Sequence, residues 1–411
     1  MEPYDYIGKN QKRLVGALQE MVRVNTVNPP GRDYRRMVDL LADACRARGM
    51  AVEVVQVPAA EVEAAGVDPA YPRFNLIARL NCGAAKTVHF NAHYDVVPVA
   101  GAWKGDDPFS GAVHGNWLYG RGASDMKGSI ASLLMALESV QRCGRQPAVN
   151  LEFSFTADEE TGGALGAGFV VRNGLVKADC AVVCEGAGGT KLGCGHNGVL
   201  WLEVEVEGKA AHASNPGAGE NAFEGAAAMV HHLQPLKKAL SRAGRRYRDF
   251  NGQERNPTVN IGGVVEGGAG DKINTVPARL AFSIDRRVVP NESLAEAETE
   301  LRRALERAAR DAGGVRYRVR RLMGIDPCLT EPDSDLARSF AATVRSVRRR
   351  GVEYRATAGF TDLHFFVEEG GLPGIGYGVA GENAHGVDER VGVRDLVQTA
   401  RVYADFMQRG I

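Results

Sequence analysis

Short apolar runs that alternate with helix-length stretches are the feature that most constrains how this chain can fold. Strand-like runs at residues 75–80, 87–93, 150–157 and 180–184 are separated by stretches such as 128–140, whose apolar spacing is helical. Near-continuous apolar strands joined by helices are typical of a parallel sheet that is covered on both faces. The sequence therefore predicts an α/β domain in which a mostly parallel sheet is sandwiched by helices.

A second pattern begins near residue 199 and predicts an inserted domain. Residues 200–206 alternate apolar and charged side chains, as a strand with one exposed face does. Helix-like stretches at 222–239 and 293–312 and strand-like stretches at 258–264, 278–288 and 315–320 follow. This order is typical of a two-layer α+β domain.

Helix and strand alternation then resumes, with helical spacing at 336–349 and 393–409 and a strand at 374–377. A chain of 411 residues exceeds the size at which one core keeps growing, so two domains are expected. We place the first part of the larger domain at residues 1–198, the insert at 199–322 and the second part of the larger domain at 323–411.

Charge and cysteine usage narrow the class of partner. Lys plus Arg and Asp plus Glu each total 50, so no net field attracts nucleic acid or an anionic membrane, and no apolar run is long enough to span a bilayer. The 7 cysteines form no Cys-x-x-Cys pair. The first residues lack the basic and apolar regions of a secretion signal. These features predict a cytoplasmic protein that acts on a small molecule.

His93 and Asp95 follow an apolar run and are expected at the carboxyl edge of a strand, where open α/β sheets bind ligands. One ring nitrogen of His93 can bind a metal ion while Asp95 accepts a hydrogen bond from the other nitrogen or supports its neighbours. Alone, this pair is more typical of a capped strand end than of a metal site.

Asp125 lies in a glycine-punctuated turn, residues 120–128, just before a predicted helix. A rigid turn can aim one carboxylate outward, where its two oxygens can bridge two cations roughly 3.5–4 Å apart. The alternative interpretation is an ordinary helix N-cap formed by Ser124 or Asp125.

Three consecutive acids, Asp158, Glu159 and Glu160, follow the strand-like run at 151–157. Adjacent carboxylates repel each other, but the arrangement becomes favourable if one binds a metal ion and its neighbour takes a proton from water. We therefore assign Glu160 as a ligand and Glu159 as the general base.

Glu185 ends the run at 180–184, and His385 lies in the segment 382–389. Either residue alone would usually be structural. Five potential ligands that each end a strand or begin a helix within one predicted domain, however, favour a metal site over independent coincidences.

Together these residues resemble the M20 co-catalytic metallopeptidases, which include acetylornithine deacetylase, succinyl-diaminopimelate desuccinylase, aminoacylase and glutamate carboxypeptidases. The resemblance spans nearly the whole chain and rests on segments in the family's order and spacing: HYDVVP, WKGDDPF, LYGRGASDMKG, TADEETGG, VVCEG, GKAAHAS, NTVPARLAFSIDRR and AHGVDE. It implies that the larger domain is catalytic and that the insert is a lid and dimerisation domain.

The resemblance also implies two divalent metal ions, the first held by His93, Asp125 and Glu185 and the second by Asp125, Glu160 and His385. Asp125 would bridge them, and a cis peptide bond would follow it. Glu159 would be the base and proton shuttle, and Asp95 the partner of His93. Zinc is the expected metal, with manganese and cobalt as alternatives, because imidazole and carboxylate ligands accept all three.

Residues of the insert are implied to touch substrate. His212 resembles a family histidine that reaches the active site of the opposite subunit and stabilises the oxyanion, which implies a homodimer. Asn274 and Arg287 match polar residues that face substrate, and a guanidinium suits a substrate carboxylate. The alternative for Arg287 is a salt bridge on the strand surface.

Two departures from the family bear on the substrate. Where desuccinylase-like members carry an arginine for the succinyl carboxylate, this chain has Gly195, His196, Asn197 and Gly198. The segment that contains Gly359, Phe360 and Thr361 is closer to deacetylase-like members, and Phe360 adds an aromatic face. A short acyl group or an aromatic substrate, bound near His196 and these three residues, therefore fits better than a succinyl group.

The sequence thus predicts a two-metal hydrolase that cleaves the amide bond of an N-acyl amino acid. A dipeptidase or carboxypeptidase, or a catabolic hydrolase of an aromatic or heterocyclic amide, would use the same chemistry and stays open. A non-catalytic scaffold with this fold is expected to have lost a ligand or the base, and this chain keeps all of them.

Overall fold

The computed structural model describes residues 1–103, 107–186 and 188–411. Three residues of the WKGDDPF segment, Lys104, Gly105 and Asp106, lie outside the described residues, as does Ala187. The chain forms two compact units. The larger comprises Met1–Gly195, Leu329–Thr357 and Thr361–Ile411, and the smaller comprises His196–Cys328 and Ala358–Phe360.

The α-helices of the described residues are α1 (Pro3–Lys9), α2 (Gln11–Val22), α3 (Tyr34–Arg46), α4 (Ala59–Ala64), α5 (Gly128–Arg142), α6 (Ala167–Arg172), α7 (Ala222–His232), α8 (Gln234–Leu240), α9 (Leu294–Asp311), α10 (Asp335–Arg348) and α11 (Val393–Arg409).

The strands of the same residues are β1 (Ala51–Gln56), β2 (Phe74–Leu80), β3 (Thr87–His93), β4 (Val113–His114), β5 (Trp117–Tyr119), β6 (Asn150–Thr156), β7 (Cys180–Val183), β8 (Lys191–His196), β9 (Gly198–Glu207), β10 (Ala211–His212), β11 (Tyr247–Arg248), β12 (Glu254–Arg255), β13 (Thr258–Gly267), β14 (Thr275–Val276), β15 (Arg279–Val288), β16 (Arg316–Ile325), β17 (Cys328–Leu329), β18 (Glu353–Thr357), β19 (Gly374–Gly376), β20 (Gly381–Glu382) and β21 (Arg390–Gly392).

The large sheet has the order β1-β2-β6-β3-β7-β19-β8-β17, with β18 paired to β8. At its centre β3 runs parallel to β6 and β7, and β7 runs parallel to β19. The pairs β1–β2, β2–β6 and β8–β19 are antiparallel. The predicted α/β class is confirmed, but the sheet is mixed, because antiparallel pairs flank its parallel centre. Apolar runs report which faces of a strand are buried and do not report its direction.

The core of the larger unit lies between this sheet and its helices. Helix α5 packs against α11 and α1, and its residues 128–140 are all buried. On the sheet, Phe90 makes edge-to-face contacts with Phe153, Tyr403 and Phe406 at centroid distances of 5.6, 5.9 and 6.3 Å. A helix that is buried nearly all round fits the apolar composition of this segment.

The smaller unit has a four-stranded antiparallel sheet in the order β13-β15-β9-β16. Along β9, Leu200, Leu202, Val204 and Val206 are buried and share one apolar cluster with residues of α7 and α9. This alternation is the pattern that predicted a two-layer α+β insert. Its role as a lid and dimerisation domain stays a prediction.

One predicted helix of the insert is interrupted. The stretch 222–239 forms two helices, α7 and α8, and Pro235 lies in the first turn of α8. Proline lacks a backbone N–H and clashes with the preceding turn, so it begins a helix more readily than it continues one. Across the described residues, no helix is both long and apolar enough to cross a membrane.

Candidate metal centre

Five predicted ligands meet at one edge of the large sheet. His93 ends β3, and Glu185 lies just beyond the end of β7. Glu160 follows β6 in a short helical turn, Glu159–Thr161. Because β3, β6 and β7 are parallel neighbours, their carboxyl ends open on the same side, where α/β sheets place ligand sites.

The remaining ligands come from two loops. Asp125 lies in the turn Ala123–Lys127 before α5, and the peptide bond between Asp125 and Met126 is cis, as the family resemblance implied. His385 lies between β20 and β21, with a backbone φ of 62°. The site therefore draws on segments from both sides of the insert.

The side chains form two groups that share Asp125. Nε2 of His93 lies 3.2 Å from Oδ1 of Asp125 and 3.9 Å from Oε2 of Glu185. Nε2 of His385 lies 3.2 Å from Oδ2 of Asp125 and 3.0 Å from Oε2 of Glu160. Within each group the candidate ligand atoms all lie within 4.8 Å of one another. The two oxygens of Asp125 thus face different imidazoles, as a bridging carboxylate requires.

Asp95 supports the segment that carries the acids. Its Oδ1 accepts the backbone N–H of Glu159, and its Oδ2 accepts that of Glu160, each at 3.2 Å. Nδ1 of His93 lies 3.1 Å from the Asp95 carbonyl oxygen and 3.5 Å from its carboxylate. Asp95 therefore orients His93 mainly through its backbone and the acidic segment through its side chain.

Burial and charge set the protonation of the cluster. Burial, followed by the charge of Glu185, raises the pKa of Glu159 well above its ordinary value. Burial likewise raises the pKa values of Glu160 and Glu185. Hydrogen bonds to Asp125 and Glu160 raise the pKa of His385 to about 10. Ionised carboxylates this close together repel one another in a buried, low-dielectric site. A bound divalent cation would offset that repulsion.

Two buried oxygens support a cation rather than an internal ion-pair network. Among the described residues, Oε1 of Glu160 and Oε2 of Glu185 have no hydrogen-bond partner although they are shielded from solvent. A buried carboxylate oxygen without a partner is costly. Imidazole and carboxylate oxygen donors suit zinc, manganese and cobalt. The residues therefore fit two divalent cations, one in each group.

The predicted substrate residues are mostly in the smaller unit, and their roles stay predictions. His212 ends the short strand β10, which pairs with β14, and the Ala213 N–H donates to the Asn274 carbonyl at 2.9 Å. His212 and Asn274 are thus neighbours, both exposed, at this short antiparallel strand pair. Arg287 donates to Asp285 at 2.9 Å, the strand-surface salt bridge named above as its alternative role.

The other predicted substrate residues differ in exposure. His196 is buried, and Gly359 is exposed. Phe360 is half-buried. Thr361 is buried in the larger unit, where its carbonyl faces Nδ1 of His364 at 2.8 Å.

The sequence patterns missed several residues around the ligands. Asn28 and Arg73 both contact Asp158, and no local motif marks either residue. Arg121 and Glu389 form a buried ion pair. Both lie inside the motifs that carry Asp125 and His385. A charged residue in such a motif was a local signal that could have identified each of them.

Comparison with known proteins agrees with this geometry. Residues 89–409 match the family described as "Peptidase family M20/M25/M40". A succinyl-diaminopimelate desuccinylase from Methylobacterium radiotolerans is 30% identical over 94% of this chain and 93% of the relative. An acetylornithine deacetylase from Erwinia tasmaniensis is 31% identical over 66% of this chain and 65% of the relative.

Solved structures agree in fold. An M20 family metallo-carboxypeptidase from Sulfolobus solfataricus has a TM-score of 0.76 at 20% identity, covering 96% of this chain and 98% of its own. Human carnosine dipeptidase 1 has a TM-score of 0.75 at 19% identity, covering 98% of each chain. At these identities the likeness concerns the fold alone.

Fold, site and sequence matches together define a metal-dependent hydrolase. The chain belongs to peptidase family M20/M25/M40, which confirms the resemblance seen in the sequence.

Proposed function

We propose that this chain hydrolyses the amide bond of an N-acyl amino acid, using two divalent cations. The observation that carries the proposal is the pair of ligand groups that share Asp125, one completed by His93 and Glu185 and the other by Glu160 and His385. Zinc is the proposed metal, with manganese and cobalt as alternatives. Bound divalent cations supply Lewis acidity, which can lower the pKa of water from 15.7 to about 7.

Glu159 is the proposed general base. It is buried next to the ligand groups, and its backbone N–H is held by Asp95. Burial and the charge of Glu185 raise its pKa above the ordinary value of a glutamate, which is the direction that favours proton transfer by a general base. It takes a proton from the attacking water and passes that proton to the departing amine. Its neighbour Glu160 faces His385 instead, which supports the different roles proposed for the two acids.

The substrate class is supported by the two relatives whose names describe removal of an acyl group, a desuccinylase and a deacetylase. In our proposal Arg287 binds the substrate carboxylate, and Asn274 also contacts substrate. His212 reaches the active site of the partner subunit in a homodimer and stabilises the oxyanion there. The segment 195–198, which contains His196, stands where desuccinylase-like members carry an anion-binding arginine, so we propose a short acyl group. A cytoplasmic location is part of the same proposal.

A panel of substrates tests the reaction. The protein is stripped of metal with a chelator, reloaded with zinc, manganese or cobalt, and offered N-acetyl, N-formyl and N-succinyl amino acids and dipeptides. We expect no turnover without metal and the highest kcat/KM on a short N-acyl amino acid. Failure on every compound with an α-carboxylate would contradict the proposed substrate class.

A glutamine substitution tests the base. Glu159→Gln is expected to keep two metal ions per chain and to lose about 10²–10⁴-fold in kcat, because a general base contributes roughly that much. Glu369→Gln is the matched control, since Glu369 pairs with Arg172 on the surface of the same unit. Wild-type turnover by the Glu159→Gln variant would contradict the assignment.

A further inference from the structure

Glu389 is a buried carboxylate that binds the turn carrying Asp125. Its Oε1 accepts the backbone N–H groups of Ser124 and Asp125 at 2.9 and 3.0 Å. Its Oε2 accepts the N–H of Gly122 at 3.1 Å. Backbone amides that converge on one carboxylate fix the peptide planes of the turn, because charge-assisted hydrogen bonds are the stronger class. The direction in which the Asp125 side chain leaves the turn is thereby fixed.

Arg121 extends the same contacts to the second loop. Its Nη1 donates to Oε2 of Glu389 at 2.6 Å, and its Nη2 donates to the backbone carbonyl of His385 at 3.2 Å. Both charged side chains are 1% exposed. One ion pair therefore contacts the backbone of two proposed ligands, Asp125 and His385.

Strand pairing brings the two segments together. Strand β21 pairs with β5, so that Arg390 lies opposite Tyr119. Next to this pair, the Gly120 N–H donates to the Glu389 carbonyl at 2.9 Å. Glu389 and the turn at Asp125 are thus adjacent in space although 264 residues separate them in sequence.

We propose that Glu389 is a positioning residue for the two-metal site, which with Arg121 holds Asp125 and His385 in the geometry that both cations require. The proposal rests on the proposed function, because it assigns a role toward ligands that are themselves proposed. Groups that hydrogen-bond to metal ligands orient them, and their loss typically lowers metal affinity or activity by 10–100-fold.

A purely structural ion pair is the competing explanation. If the pair were only structural, the loss of one partner would lower the free energy of unfolding, because the other charge would stay buried and unpaired. The folded protein would still bind metal as wild type does. Here the backbone amides of Gly122, Ser124 and Asp125 all end on the carboxylate. The contacts are thus concentrated on the ligand-bearing turn.

The test compares cobalt binding by metal-free wild-type protein and Glu389→Gln, followed by calorimetry and by the visible absorption of bound Co²⁺. Glutamine keeps the shape but turns one acceptor oxygen into an NH₂ group that faces N–H donors. We expect wild type to bind two Co²⁺ per chain, and the variant to lose about 10–100-fold in affinity with an altered Co²⁺ spectrum.

Glu152→Gln is the matched control, because Glu152 is also a buried carboxylate, with His89, Arg79 and the Lys177 backbone as its partners. It is expected to lose stability and to keep the wild-type Co²⁺ affinity and spectrum. If Glu389→Gln does not fold, Arg121→Lys replaces it. A lysine keeps the charge but cannot reach the Glu389 carboxylate and the His385 carbonyl with two separate nitrogens.

The outcomes separate the two proposals. Wild-type protein that binds fewer than two Co²⁺ per chain would overturn the proposed function itself. Wild type that binds two, together with a folded Glu389→Gln or Arg121→Lys variant of unchanged affinity and spectrum, would overturn only the positioning role. Equal loss of Co²⁺ affinity in the Glu152→Gln control would also overturn it, because the effect would then follow stability alone.

Discussion

Nε of Arg73 donates a hydrogen bond to Oδ2 of Asp158 at 2.7 Å, and the two side chains are 1% and 3% exposed. Asp158 directly precedes Glu159 and Glu160, the proposed base and ligand. Asn28 connects this ion pair to the site, since its Nδ2 lies 3.0 Å from Oδ1 of Asp158 and 3.1 Å from Oδ2 of Asp95. The acidic segment therefore rests on a buried polar network.

Removing Arg73 should strongly destabilise the larger unit. Burial and the charge of Asp95 raise the pKa of Asp158 to about 6 even with Arg73 beside it. Arg73→Met leaves that carboxylate buried without its cation, so we expect a loss of about 3–5 kcal/mol in the free energy of unfolding, measured by urea titration. The double variant Arg73→Met/Asp158→Asn should recover part of the loss. A single variant as stable as wild type would contradict the role assigned to this ion pair.

Removing the Asp95 carboxylate should impair catalysis more than folding. Asp95→Ala frees the backbone amides of Glu159 and Glu160 and keeps the carbonyl that faces His93. We expect kcat/KM to fall by about 10–100-fold in steady-state assays on the best substrate of the panel. Asp95→Asn, which retains one acceptor oxygen, should fall between this variant and wild type. An Asp95→Ala enzyme of normal kcat/KM would show that these amides need no support.

Acid should weaken the fold partly through Glu152. Burial alone would raise the pKa of this carboxyl, but hydrogen bonds and charge from His89, with help from Lys177 N–H and Arg79, lower it from 4.5 to about 2. A depressed pKa means that Glu152 contributes its full stabilisation above pH 4.5 and loses it as the pH falls towards about 2. That contribution is on the order of 1–3 kcal/mol.

The measurement is the free energy of unfolding of wild type and Glu152→Gln between pH 7 and pH 2. The difference between the two proteins should shrink as the pH falls below about 4.5, because the Glu152 carboxyl of unfolded wild type then takes up a proton that the folded protein does not. A difference that stays constant over this range would contradict the pKa assigned to Glu152.

Two glycines with similar backbone conformations should respond differently to alanine. Gly163 and Gly174 have φ values of 69° and 61°, so each substitution costs about 1–2 kcal/mol of backbone strain. A Cβ at Gly163 would also overlap Oδ1 of Asp362 and lie 2.7 Å from Cε2 of Phe365, whereas at Gly174 its nearest neighbour is Lys177 Nζ at 4.0 Å. Gly163→Ala should therefore cost about 1–3 kcal/mol more in thermal or urea unfolding. Equal losses in the free energy of unfolding would contradict this prediction, because they would mean that Asp362 and Phe365 move aside without cost.

Much of the fold and of the proposed ligand set could be predicted from local patterns. The apolar runs that became β3, β6 and β7 located three strand ends, and the proposed ligands His93, Glu160 and Glu185 lie at or just after these ends. Glycine punctuation before α5 marked Asp125 in the same way. These features are readable because strand burial and turn chemistry act over a few residues.

The supporting residues were not readable because their partners are distant in sequence. Asn28 and Asp158 are 130 residues apart, and nothing near either one marks the contact. Strands β5 and β21, which position Glu389, span three residues each and are too short for periodicity to reveal them. Pro235 is a different case, because its missing N–H was a local signal for the break between α7 and α8, and the prediction of one helix over 222–239 overlooked it.

The position of β19 in the sheet also constrains the order in which the protein can fold during synthesis. This strand lies between β7 and β8, yet it follows the whole insert in sequence, and His385 comes later still. The pairs that β19 makes with β7 and β8 therefore cannot form until translation is nearly finished. Both proposed ligand groups depend on residues that are made late, because His385 completes one group and Glu389 contacts the turn that carries the shared Asp125. Assembly of the proposed two-metal site is therefore a late event of biogenesis.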